Sequence, residues 1–158
     1  GHDGRLLTRA DGSVVHATLV EKLLILLLAK LSNYIPGAGI WMNTQRPEWN
    51  DANNALVGRG VSVVTLGYLR RFTAFLLKLL PATEGESFAV ESSLATFFGK
   101  TEDILTRHEP QEASLDPQAR RRVMDELGRA GSAYRTGYYQ NGLSPHGSAS
   151  RIPAWTPS

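Results

Sequence analysis

Leu23-Leu24-Ile25-Leu26-Leu27-Leu28-Ala29 leaves no polar residue for almost two helical turns. In a protein that folds in water, a helix apolar all round must be covered on several sides by other elements. Thr18 and Glu21 precede the run at capping-box spacing, and Pro36-Gly37 follows it, so the sequence predicts a helix over 19–34. Either an inner ring of helices or a subunit interface would supply the cover.

Working outward, three more helices follow from apolar spacing. Val61 to Leu80 carries Leu66, Leu69, Phe72, Leu76 and Leu80 on one stripe and stops at Pro81. Ser87 to Phe98 reads as a third helix that Gly99 ends or interrupts, with a resumption over Thr101 to His108. Asp116-Pro117, an acidic cap with proline in the first helical position, opens a fourth over Gln118 to Tyr138, with Val123, Leu127, Ala130 and Tyr134 inward. Arg120, Arg121 and Arg122 mark its solvated side, mixed with Asp125 and Glu126. The expected organisation is a polar lead over 1–15 with a turn at Asp11-Gly12, an all-α domain of helical hairpins over 16–140, and an irregular tail over 141–158.

Between the first two helices, Gly39-Ile-Trp-Met-Asn-Thr-Gln-Arg-Pro-Glu-Trp-Asn-Asp-Ala-Asn-Asn-Ala-Leu56 concentrates indoles, carboxylates, a guanidinium and amides. Pro36, Gly37, Gly39, Pro47 and Gly58 make it a loop, and long loops inside a domain are usually functional. Pyranose rings stack apolar faces on indole while their hydroxyls seek amide partners, so these residue types suit a sugar site. A carboxyl dried by a neighbouring indole can also keep its proton near neutral pH and act as a general acid.

Within that loop Glu48-Trp49-Asn50-Asp51-Ala52-Asn53-Asn54, continuing to Leu56-Val57-Gly58, resembles the D-W-N-D-x-x-N segment of the cellobiose and chitobiose phosphorylase family. The match covers about a dozen residues. It departs at Glu48, where the family usually has Asp, and at Ala52-Asn53-Asn54, where it has G-M-N. The resemblance implies an (α/α) toroid-like glycosidase fold and gives Asp51 the role of protonating the glycosidic oxygen. A toroid of twelve helices needs roughly 350 residues at ordinary element lengths. At 158 residues the chain is expected to be a portion of such an enzyme, or else a small helical interaction or assembly domain.

Glu48 is the candidate second carboxylate; otherwise it is a loop acid that orients Arg46. Inverting glycosidases hold their carboxyl pair about 6.5–9.5 Å apart and retaining ones about 5–5.5 Å apart. Trp41 and Trp49 are candidate stacking platforms, or large core residues. Asn50 and Asn54 are candidate hydroxyl ligands, and Arg46 would hold phosphate in a phosphorylase. Asp51 also fits a plain helix N-cap. Water is favoured over phosphate as nucleophile, because no phosphate cradle is evident.

Other classes find little support. Net charge is +2, which argues against an electrostatically driven nucleic-acid binder. There is no cysteine, and His2, His16, His108 and His146 lack metal-ligand spacing, so neither metal nor cofactor is expected. No glycine-rich phosphate loop or nucleophile elbow occurs. No apolar run approaches the ~20 residues of a membrane span, and the residues after Gly1 hold no leader-like apolar stretch. The expectation is a cytoplasmic protein whose partner is an oligosaccharide or glycoside, with a homo-oligomer or the rest of the same enzyme covering the first helix.

Overall fold

Thr18 and Glu21 close the expected capping box: the Thr18 hydroxyl accepts the Glu21 N–H at 3.2 Å, and Glu21 Oε2 accepts the Thr18 N–H at 2.6 Å. The helix they start, α1 (Leu19–Leu31), ends at Ser32, whose N–H donates to the Leu28 carbonyl. The computed structural model describes residues 8, 11–43, 59–80, 87–108, 116–141 and 149–153. After α1 come β1 (Tyr34–Ile35), β2 (Gly39–Asn43), β3 (Arg59–Ser62), α2 (Val63–Leu79), β4 (Ser87–Glu91), α3 (Ser92–His108), α4 (Pro117–Asn141) and β5 (Ala149–Pro153). Side-chain caps start the later helices too. Ser62 Oγ accepts Thr65 N–H at 3.1 Å, Glu91 Oε2 accepts Ser93 and Leu94 N–H, and Asp116 Oδ1 accepts Ala119 N–H at 2.7 Å.

These elements overturn the all-α expectation and with it the toroid-like ring of helical hairpins. The described residues form a mixed α and β structure: four helices, an antiparallel sheet in the order β1-β2-β3, and a second antiparallel pair, β4-β5. α1 ends three residues short of the expected 34, and in the first sheet Pro36-Gly37 instead folds the chain back between β1 and β2. Ala38 N–H donates to the Ile35 carbonyl at 3.0 Å with Gly37 at φ +71°, the geometry of a type II turn. Gly39 then lies so close to β3 that a Cβ there would stand 2.8 Å from the Ser62 carbonyl oxygen. Ile40, opposite Ser62 in the register, is fully buried.

In the second sheet, Ser87-Phe88-Ala89-Val90-Glu91 is a strand rather than the first turn of the third helix. Phe88 and Val90 face inward on alternate positions and Phe88 pairs with Ile152, so burial follows period two over five residues. α3 runs straight through Gly99. The expected tail supplies the partner strand, with Arg151 Nε donating to Ser87 Oγ at 2.6 Å. In the lead, Thr8 and Val14 form an isolated antiparallel bridge about the Asp11-Gly12 turn.

α1 lies between two cores, which answers its lack of a polar face on two sides. Leu24 and Leu28 join Val90, Leu94, Phe97, Val123, Leu127 and Ile152, while Leu27 joins Ile40, Leu69, Leu76 and Leu80. Leu19 and Leu26 remain exposed. No described helix is long and apolar enough to cross a membrane.

Candidate functional site

Of the residues singled out in the sequence, Trp41 lies among those described; Arg46, Glu48, Trp49, Asn50, Asp51 and Asn54 lie outside them. Trp41 sits on β2 opposite Val61, and its backbone N–H donates to the Asn33 carbonyl at 2.8 Å. Its side chain is 41% exposed, so it is a surface indole rather than a core residue. Asn43 pairs with Arg59 at the end of the β2–β3 ladder.

Away from Trp41, a groove of about 710 Å³ lies between α1, α3 and α4, within the 300–1,000 Å³ range typical of small-ligand sites. Small residues on α4 open it. A Cβ at Gly131 would meet Ser32 Cβ at 2.6 Å, whereas one at Gly128 finds nothing closer than the Ser32 carbonyl oxygen at 4.0 Å. One wall is aromatic: Phe97 stacks on Tyr134 with ring centroids 5.1 Å apart, Tyr134 on Tyr138 at 6.4 Å, and Tyr138 meets Tyr139 edge-on. Facing that wall are Glu21 and Glu91.

Both carboxylates are held by backbone. Glu21 Oε1 accepts the Glu91 N–H at 2.7 Å, tying the start of α1 to the β4–α3 junction, and Glu91 in turn caps α3 and accepts the Ser93 hydroxyl. The result is an oriented negative field beside aromatic faces. Burial, then Glu91, Tyr138 and Glu21, pushes the Tyr134 phenol up to about 12, so at neutral pH it stays protonated and can donate a hydrogen bond. The cations Lys22 and Arg135 line the mouth, both exposed, with the Arg135 guanidinium 5.5 Å above the Tyr139 ring. Among the described residues, no three His, Asp or Glu side chains converge as a metal ion requires.

Sequence reading missed this groove. Tyr134 and Tyr138 at i, i+4 spacing were a signal for an aromatic face, but Tyr134 also fits a buried edge, and Glu21 was accounted for by its cap. No family model matches the chain, and no curated protein matches it.

Proposed function

We propose that the chain is carbohydrate-active: a glycoside-cleaving unit, or part of one, in which Asp51 protonates the leaving oxygen. Glu48 is the second carboxylate, and Arg46, Trp49, Asn50 and Asn54 contact the sugar. The observation that supports this reading is the exposed indole of Trp41, three residues before the segment that carries the motif. Trp is normally highly buried, and an indole left to solvent on a sheet is the platform that a pyranose face stacks on. The register of β2 and β3 favours it as well, since Asn43 and Arg59, the described residues that flank the Asp51 segment, pair two positions from Trp41 and Val61. The reading does not depend on a toroidal ring.

The test is a screen for sugar release and phosphorolysis on the longest natural form. Asp51→Asn should lower kcat by roughly 10²–10⁴, the usual loss for a general acid, and Trp41→Ala should raise KM. Full activity in Asp51→Asn removes Asp51 from the chemistry, and lowered thermal stability with unchanged kcat assigns it to capping instead.

A second reading, an interaction or assembly domain, is favoured by a separate observation. Val64, Tyr68 and Phe75 form an exposed apolar stripe on α2 at i, i+4 and i+11. Self-association in sedimentation, lost in Phe75→Glu, is what that reading requires.

A further inference from the structure

Trp41 is not among the described residues that line the α1–α3–α4 groove, whose lining pairs aromatic rings with carboxylates. Three ligand classes can be weighed by charge. An anion would face Glu21 and Glu91. A neutral apolar body would gain from the ring faces but nothing from the charge of the two carboxylates. A cation gains from both groups and from the ring faces beside them.

Two independent observations support the cation. Beside the wall, Arg135 places its guanidinium over the exposed ring of Tyr139, so a tyrosine face adjoining Tyr138 already carries a cation. Glu21, each of whose oxygens takes one backbone N–H, has further acceptor capacity, since a carboxylate offers about four acceptor sites. Among the charged lining residues, Lys22 and Arg135 are exposed whereas Glu21 and Glu91 are half-buried, so the less solvated charges are acidic.

We propose that the groove between α1, α3 and α4 binds a small organic amine, its ammonium group facing Glu21 and Glu91 and its apolar body lying against Phe97, Tyr134 and Tyr138. The volume, about 710 Å³, holds a small molecule rather than a folded partner element.

The test titrates the 158-residue chain with benzylamine, benzyl alcohol and phenylacetate at neutral pH, following the amide signals of Asn33, Gly128 and Gly131 by NMR. These ligands share a ring and differ in charge. Benzylamine should move the groove amides at the lowest concentration, benzyl alcohol should bind about tenfold more weakly, and phenylacetate should bind least. Gly128→Leu, whose Cβ has room, extends a side chain into the groove and should weaken the amine at least about tenfold with the dispersed spectrum kept. Equal affinity for the three ligands, preference for phenylacetate, shifts confined to other surfaces, or no groove shift at millimolar amine overturns the proposal. If Gly128→Leu fails to fold, the wild-type charge series still decides, with Tyr138→Leu reporting the aromatic wall.

Discussion

Gly131→Ala probes how closely the end of α1 approaches α4. Glycine inside a helix is inferior to alanine by about 1 kcal/mol, so in the absence of a neighbour the substitution stabilises. At position 131 the new Cβ would stand 2.6 Å from Ser32 Cβ and 2.9 Å from Ser32 Oγ. Ser32 Cβ is one bond from the backbone at the C-cap of α1 and cannot swing aside, so the helices must separate by several tenths of an ångström. Overpacking of this kind costs about 1–3 kcal/mol. Against the propensity gain, the net is a loss of about 0–2 kcal/mol.

The control lies on the same helix. A Cβ at Gly137 meets nothing within 4 Å, so Gly137→Ala should gain about 1 kcal/mol, leaving the two variants about 1–3 kcal/mol apart. Thermal unfolding reads this as about 2–4 °C per kcal/mol for a chain of this length. Ser32→Gly removes the opposing Cβ and should rescue Gly131→Ala in a double-mutant cycle, with a coupling of about 1–3 kcal/mol. If Gly131→Ala matches or exceeds Gly137→Ala in Tm, or shows no coupling to position 32, the close approach is not what glycine serves there.

Thr18→Ala removes one half of the α1 capping box, whose hydroxyl accepts Glu21 N–H, and should cost about 1 kcal/mol in chemical denaturation, in the usual range for a lost N-cap. Tyr134 should ionise near 12 in an alkaline absorbance titration, and Tyr134→Phe should remove that phase. Because its folded value lies above the ordinary 10, the folded state keeps the proton longer than the unfolded chain does. Its contribution to stability is therefore full below pH 10 and disappears as pH rises through about 12, so the alkaline limb of unfolding should move between those values in Tyr134→Phe.

What could be read from the chain was local. The Thr18–Glu21 and Asp116-Pro117 signals start helices because a cap forms within four residues of itself, and Leu69-Leu76-Leu80 and Val123-Leu127-Ala130 declare their buried sides by spacing alone. Strand β4 could not be read that way. Val90, Leu94 and Phe97 are also spaced i, i+4 and i+7 as on one helical face, which masks the short alternation of Phe88 and Val90, and what decides the strand is Ile152, which arrives from the far end of the sequence. α3 likewise continues through Gly99 because Leu94, Phe97, Thr101 and Ile104 are all buried, and that packing outweighs a propensity penalty of about 1 kcal/mol. The all-α expectation failed at β4 and β5, which depend on distant partners, and also at the β1–β2 hairpin, which closes within seven residues about the Pro36-Gly37 turn.

The same distinction bears on the groove. Its carboxylates are written into the fold: Glu21 closes a cap within its own turn and accepts an N–H seventy residues away, and Glu91 starts α3. A capping acid is sufficiently explained by its cap, so nothing in a local window marks Glu21 as the wall of a cavity. The double employment also governs what substitution can reveal. Glu21→Gln keeps a side-chain oxygen for one backbone donor but removes a charge-assisted bond, so lost ligand affinity and lost helix stability would arrive together. Gly128 and Tyr138 carry no cap, and a change there that alters amine affinity without altering unfolding separates recognition from folding. In a chain this small, acids that organise helix termini are also the acids nearest its concave surface, and ligand binding at such a site should raise unfolding temperature by mass action.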